Sequence, residues 1–212
     1  MLISTAVVTP APSQDLITLD DAKVLLGISG TSYDAALTLA ISVQSDAIAR
    51  MCNRVFGKEK VIEIFRCIGT ERIFLNRWPI SPADITEISD HGTVLNRAFP
   101  TDAASASIDY ELDSASGMLY RPGGWAGPDV IASYSGGYVL PDEAPLALQQ
   151  ATALLLRQWY VAYQSRGMRM VVHKDSRVAY FDPAAQAVAM ARGGASQNTL
   201  DRLLIHYTRL WA

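Results

Sequence analysis

The segment from Tyr33 to Val55 carries the strongest helical pattern in the chain. Apolar residues recur along it at spacings of three, four and seven, which places them on one side of a helix of about six turns. Such a helix gains most of its stability from packing, so it needs a partner along its whole length. The segment from Asp142 to Tyr163 has the same period and begins with acidic residues, which favour a helix N-terminus. We expect these two helices to pack together.

Two shorter helices are predicted nearer the ends of the chain. Thr18 is a good N-cap, with Asp21 facing back towards it, for a helix over Thr18–Leu26. The second helix covers residues 198–212 and follows a stretch rich in Ala and Gly. Its apolar residues form one continuous stripe. They are Leu200, Leu203, Leu204, Tyr207, Leu210 and Trp211.

Between about residues 58 and 140 the period changes from helical to alternating. Short apolar runs are separated by Gly, Asp and Pro, a pattern typical of hairpins. The predicted strand pairs are Val61–Ile68 with Arg72–Leu75, Ile85–Ile88 with Thr93–Leu95, and Tyr110–Leu112 with Met118–Tyr120, followed by a strand at Val130–Tyr134. The predicted class is α+β: a helical bundle with an inserted small antiparallel β region and a C-terminal amphipathic helix.

This pattern divides the chain into four parts. Residues 1–17 contain two prolines and no Lys or Arg, so they favour a flexible or docking arm over a secretory signal. Residues 18–166 form the main domain and include the β insertion. Residues 167–197 alternate weakly and then become Ala-rich, which is typical of an extended arm or linker. Residues 198–212 form the C-terminal helix.

Composition narrows the class of partner. Lys and Arg number 18 and Asp and Glu 21, a net charge of −3, whereas proteins that neutralise DNA phosphates carry a basic excess. Only 18% of the residues are charged, against roughly 25% in an average domain, and interface cores are depleted in charge. No apolar run approaches the roughly 18 residues of a membrane-spanning helix. Two cysteines, Cys52 and Cys67, indicate a reducing compartment rather than a disulfide framework.

The sequence contains no recognisable catalytic or metal-binding motif. His91, His173 and His206 lack a Cys, His or carboxylate at metal-ligand spacing. Neither a phosphate loop nor a nucleophile elbow occurs. We therefore predict no enzyme activity, no cofactor and no metal. An alternative that stays open is a small carbohydrate-binding or hydrolase module whose platform is Trp125, Tyr120 and Tyr134.

Several segments, taken together, resemble those of a known family. They are Leu16–Ile28, Asp34–Leu37, Ala47–Phe56, Leu75–Ile80, Ile85–Ile88, Tyr110–Asp113, Gly117–Arg121, Ser133–Tyr138 and Leu203–Leu210. Their order and spacing are similar to those of the head–tail adaptor (connector) proteins of long-tailed phages and gene transfer agents. The resemblance covers residues 16–166 and the last helix. Residues 168–198 depart from it, because they are longer and richer in Ala than the family pattern.

The resemblance implies a structural protein of the virion neck. Its subunits would form a homo-oligomeric ring, dodecameric to match the portal, that joins head to tail after assembly in the bacterial cytoplasm. The ring would contact the portal protein and a stopper or other neck or tail proteins, and DNA would pass without specific binding. The C-terminal helix would dock on the portal through its apolar stripe. A stopper or tail-terminator neck protein is the alternative of the same class.

Overall fold

The computed structural model describes residues 2–96, 109–165, 170–173, 176–179 and 195–209. Within these ranges the chain has ten strands, four α-helices and one 3-10 helix at Pro82–Asp84. The chain divides into two compact units. The β unit is built from the described parts of Met1–Gln14 and Arg54–Glu143, and the α unit from those of Asp15–Asn53 and Ala144–Leu210. The α+β class is confirmed.

The β unit contains a five-stranded antiparallel sheet. In order across the sheet, its strands are β1 (Leu2–Thr9), β2 (Glu59–Phe65), β8 (Val130–Gly136), β4 (Ile85–Asp90) and β5 (Thr93–Val94). Buried and half-buried residues alternate along β2, as the period of two in its sequence requires. β1 and β5 are the two edge strands of this sheet.

A second, three-stranded sheet lies in the same unit. Its order is β3 (Arg72–Phe74), β7 (Met118–Tyr120) and β6 (Glu111–Asp113). Side chains from both sheets and from their loops form one hydrophobic cluster. Its largest fully buried members are Trp125, Tyr134, Leu75, Ile80, Ile88 and Leu119. This cluster is the interior of the β unit.

Two of the three predicted hairpins are confirmed. β4 pairs with β5, and β6 pairs with β7. The turn between β4 and β5 has His91 at φ 50° and Gly92 at φ 79°, and positive φ at both residues is what a two-residue hairpin turn of type I′ needs. The hairpin between Val61–Ile68 and Arg72–Leu75 is wrong, because β2 pairs with β1 and β8 while β3 pairs with β7.

Backbone hydrogen bonds give the reason for that error. After β2 the chain does not fold back on itself but bonds to the loop that follows β7. The Gly69 N–H donates to the Trp125 carbonyl, and the Trp125 N–H donates to the Thr70 carbonyl, both at 3.0 Å. The Arg121 N–H donates to the Glu71 carbonyl at 2.8 Å. A segment about fifty residues away therefore takes the place of the expected hairpin partner.

The N-terminal segment is not an arm. Leu2–Thr9 forms β1, which pairs antiparallel with β2, and Leu16 and Ile17 are buried. Gln14 also bonds within the β unit, since its Oε1 accepts from the Gly57 N–H at 3.1 Å and its Nε2 donates to Glu59 at 3.3 Å. Three of the eight residues of β1 are Val or Ile and two are Thr, and these types favour strands.

The α unit consists of helices α1 (Leu19–Leu26), α2 (Asp34–Met51), α3 (Leu146–Ser165) and α4 (Ala195–Leu204). The Thr18 hydroxyl caps α1 as predicted, because it accepts from the Asp21 N–H at 3.0 Å and donates to the Asp21 carboxylate at 2.7 Å. Helices α2 and α3 pack against each other, which confirms their predicted pairing. Leu37, Ile41 and Ile48 of α2 and Leu156 of α3 are buried.

The description of the whole chain as a helical bundle with a small β insertion is wrong. In the described ranges strands outnumber helices ten to four, and the β unit has its own hydrophobic interior. Residues 167–197, expected to be an arm or linker, contain β9 (Met170–His173) paired antiparallel with β10 (Ser176–Ala179). In the part of the chain that the structure covers, no helix combines the length and apolarity of a membrane span.

Candidate functional site

The C-terminal helix carries the residues that the sequence singled out for docking. The structure places Leu200 and Leu204 in the interior of the α unit, only 2% and 3% exposed. Helix α4 packs against α3. These two leucines are therefore part of the core of this unit, because the apolar stripe that fits a partner's groove also fits a neighbouring helix of the same chain.

The chain beyond α4 is also held in place. The N–H groups of Tyr207 and Thr208 donate to the Leu204 carbonyl at 2.8 and 3.0 Å, which ends the helix in a turn. The Arg209 N–H then donates to the carbonyl of Cys52, at the end of α2, at 2.8 Å. Although an Ala/Gly-rich stretch precedes it, α4 is therefore packed in the α unit.

The remaining predicted docking residues divide into two groups. Leu203 and Tyr207 are half-buried, so each presents part of its side chain to solvent. Leu210 and Trp211 lie outside the described residues. Ile205, which follows the end of the helix at Leu204 and was not among the predicted docking residues, is 66% exposed.

The aromatic platform of the carbohydrate-binding alternative is wrong. Trp125 and Tyr134 are completely buried, and Tyr120 is half-buried. The Trp125 ring lies in the interior of the β unit, with the Arg121 guanidinium 5.6 Å from its centre. A sugar ring stacks on exposed aromatic faces, and two of these three rings have none to offer.

Asp90 at the end of β4 fixes the loop that contains Trp125. Its buried carboxylate accepts from the N–H groups of Ala126 at 2.8 Å and Gly127 at 2.9 Å, and it forms an ion pair with Arg121. The loop residues Gly123 and Gly124 have positive φ, which glycine adopts without strain. Among the described residues, the hydrogen bonds and the ion pair of this carboxylate all come from the loop after β7, so Asp90 acts as a structural anchor for that loop.

A second buried carboxylate, Glu63 of β2, was missed at the sequence level. It accepts from the Asn76 N–H at 3.1 Å, the Thr5 hydroxyl at 3.4 Å and the Tyr134 hydroxyl. Burial raises the pKa of Glu63, although hydrogen bonds from Asn76 and Tyr134 and the charge of nearby Arg77 act in the opposite direction. Burial, followed by the Glu63 charge, also raises the pKa of Tyr134. Thr5 lies on β1, so this network ties the N-terminal strand to the sheet.

The buried Glu63 makes stability depend on pH. Its pKa in the folded chain lies above the ordinary value of 4.5, so its stabilising contribution is complete below that pH and is lost as the pH rises through the folded pKa. We expect Glu63→Gln to remove this slope, measured by urea denaturation between about pH 4 and pH 8. Glu111→Gln, at an exposed position of β6, is the control and should keep it. An unchanged slope in Glu63→Gln would contradict the assignment.

Within the described ranges, no group of three or more His, Cys, Asp or Glu side chains is placed to hold a metal ion. His91 occupies the β4–β5 turn and His206 is exposed beyond α4. Cys52 and Cys67 are buried and form no disulfide in the described part of the chain, and burial raises the pKa of Cys67. The two buried carboxylates described above therefore have structural contacts: Asp90 holds the loop that contains Trp125, and Glu63 holds strand β1 on the sheet.

No protein-family model and no curated protein matches the chain. Solved structures do match it along nearly its whole length. One is a chain in the neck of an empty gene transfer agent (GTA) particle, computed with C6 symmetry. It superposes with a TM-score of 0.56 at 16% sequence identity, and the match covers 99% of this chain and 97% of that one. A chain in the neck of the native GTA particle, computed with C12 symmetry, gives 0.52 at 15% with the same coverage.

The virion of the native gene transfer agent contains a chain that superposes at a TM-score of 0.53 and 15% identity, again over 99% of this chain and 97% of that one. The protein shares its fold with a component of GTA particles. At this identity the likeness is one of fold, and it extends over both the α unit and the β unit.

Proposed function

We propose that the protein is a structural head–tail connector, or adaptor, in the neck of a tailed phage or phage-like particle. The observation that carries the proposal is the match of nearly the whole chain to chains from GTA necks, covering 99% of this chain and 97% of theirs. A match that includes both units supports a shared role better than a match to one common module would. The adaptor-like order of sequence segments supports the same function independently of the fold.

The proposed assembly is a homo-oligomeric ring of twelve copies, matched to the portal. The neck structures that share the fold were computed with C6 and C12 symmetry. The low share of charged residues is consistent with extensive contact between copies. Exposed apolar side chains occur on both units, among them Val24, Leu39 and Val43 of the α unit. DNA would pass through such a ring without specific binding, because the chain has no basic excess.

The proposed partners are the portal protein on one side and a stopper or other neck or tail protein on the other. The portal contact would be made by the outward side of the C-terminus, with Leu203 and Tyr207 joined by Leu210 and Trp211. Leu200 and Leu204 support this contact from inside, since their burial holds α4 on the α unit. A stopper or terminator would instead bind another neck protein, so binding to the portal separates the two functions.

Truncation after Arg209 tests the portal contact. It removes Leu210, Trp211 and Ala212 but keeps the buried Leu200 and Leu204. We expect binding to the cognate portal to weaken by at least tenfold, because aromatic anchors carry much of the energy of such contacts, while the melting temperature stays within about 2 °C of the parent. Leu146→Ala, at an exposed position of α3, is the control. A truncated chain that binds the portal at parental strength would exclude this contact.

A further inference from the structure

Strand β1 leaves one edge of the five-stranded sheet open. It pairs with β2 on one side, and within the described ranges no strand pairs with its other side. Ile3 and Val7 are each 47% exposed, and Leu2–Thr9 contains neither a charged residue nor a proline. Natural proteins commonly protect edge strands with such residues, because an open edge is a template for another strand. This edge lacks both of those protections.

Two irregularities limit the length of the open edge. The pairing of β1 with β2 shifts between Leu2 and Ser4 and again between Val7 and Thr9. Between these shifts the register is regular over Ser4–Val7, a run of four residues. Bulges bend a strand and interrupt its ladder. The edge is therefore suited to a partner strand of about four residues.

The hairpin of β9 and β10 is a sheet of the matching size. Each of its strands has four residues, Met170–His173 and Ser176–Ala179, and they pair only with each other in the described structure. An isolated two-stranded hairpin is marginally stable in water, so it gains stability from a further strand or from packing. Within the described ranges, the chain thus has an unpaired sheet edge at β1 and a two-stranded hairpin that is not part of a larger sheet.

We propose that the β9–β10 hairpin of one subunit adds to Ser4–Val7 of its neighbour and extends that neighbour's sheet across the subunit boundary. The occupant of the edge is a second copy of this chain, and the inference rests on the ring proposed above. Backbone hydrogen bonds carry the contact, as in other cases of strand addition. The uncharged β1 imposes no charge repulsion on the hairpin, whose strands contain Arg177 and His173.

The symmetry of such a contact fits a ring. The hairpin and the edge are different surfaces of the chain, so the contact is head-to-tail, and head-to-tail contacts generate rings when the rotation closes. Two β1 edges paired with each other would instead form a closed dimer. Both surfaces of the proposed contact, the β1 edge and the β9–β10 hairpin, belong to this chain, so every copy carries both.

The test uses the full chain and three variants. Ala6→Lys/Val7→Lys places two lysines on the open edge, and Val172→Pro removes a backbone donor from β9. Thr93→Lys/Val94→Lys is the matched control, because it adds the same charge to the opposite edge of the same sheet, where β5 has only two residues. Ring formation is counted by electron microscopy, in concentrated solution and on the cognate portal, and a thermal melt of each variant verifies its folding.

We expect rings to be at least tenfold fewer for Ala6→Lys/Val7→Lys and for Val172→Pro, and as frequent as in the parent for Thr93→Lys/Val94→Lys. Rings at the parental level in both of the first two variants would overturn the strand addition and leave the connector function standing. Loss in the β1 variant alone would assign the edge to another occupant and overturn the hairpin as its partner. A parent that forms no ring under either condition would overturn both proposals.

Hydrogen exchange on the unmodified protein keeps the proposal testable if a variant fails to fold. In the ring, amides of β1 and of the β9–β10 hairpin should become protected together, relative to the dilute chain. Protection at least tenfold greater at both segments supports the pairing. A ring in which either segment exchanges as fast as in the dilute chain would overturn it.

Discussion

Replacing Leu200 or Leu204 by alanine is expected to lower the free energy of unfolding by about 2–5 kcal/mol, the usual cost of emptying a core site. Both side chains are buried in the α unit, where α4 packs against α3. The cavity left by each substitution would not be filled, because these leucines lie among helices with other fixed contacts. Urea denaturation followed by circular dichroism measures the change.

Ile205→Ala is the matched control for these two substitutions. Ile205 is the next apolar residue along the chain but is mostly exposed, so its truncation should change the free energy of unfolding by no more than about 0.5 kcal/mol. If Leu200→Ala and Leu204→Ala left the free energy of unfolding at the parental value, α4 would not be packed in its unit. Together with truncation after Arg209, these variants separate the stabilising side of the C-terminus from its docking side.

Asp90→Ala is expected to lower the free energy of unfolding by at least about 2 kcal/mol, because two loop N–H groups lose their acceptor and each unsatisfied buried donor costs about 1–3 kcal/mol. The substitution leaves the Arg121 guanidinium without its carboxylate and deprives the Ala126 and Gly127 N–H groups of their acceptor. The loop around Trp125 would lose its anchor. Urea denaturation followed by tryptophan fluorescence measures the loss, since Trp125 is completely buried in the parent.

Asp113→Ala provides the comparison. Asp113 also accepts two hydrogen bonds, from Ala115 N–H and from the Ser116 hydroxyl, but it lies at an exposed turn. Because water replaces those bonds, we expect a cost of about 1 kcal/mol or less. If Asp90→Ala cost no more than Asp113→Ala, the anchoring role assigned to Asp90 would be wrong.

The helices could be predicted because their signals are local. The N-cap at Thr18 and the apolar period of α2 and α3 lie within a few turns of the residues they control. The β4–β5 hairpin was predictable for the same reason, since its turn residues lie between the paired strands. These parts of the fold depend on neighbours in sequence.

The strand order could not be predicted, because it depends on residues far apart in the chain. β2 lies between β1 and β8, and the segment beyond it bonds to the loop after β7. Glu63 shows the same limit at a single position. From the sequence, an acidic residue within an alternating run is expected to face solvent. The structure instead places Glu63 in the interior, where Thr5, Asn76 and Tyr134 donate hydrogen bonds to it.

The candidate docking residues illustrate a further limit. An amphipathic stripe indicates that one side of a helix is buried. It does not indicate whether the same chain or another chain covers that side. At α4 the answer is divided, since Leu200 and Leu204 are covered by the α unit while Leu203 and Tyr207 remain half-buried. The predicted helix over residues 198–212 ends at Leu204, so Tyr207 lies beyond it, and packing places Leu200 and Leu204 in the core.

Electron microscopy of the full-length protein mixed with its cognate portal tests the connector function most directly. We expect a closed ring of twelve copies in direct contact with the portal, with one subunit for each portal subunit and an open channel on the axis. A portal imaged without circular density beneath it would contradict the connector function. So would a ring that forms only below another neck protein, because that position belongs to a stopper or terminator rather than to the adaptor.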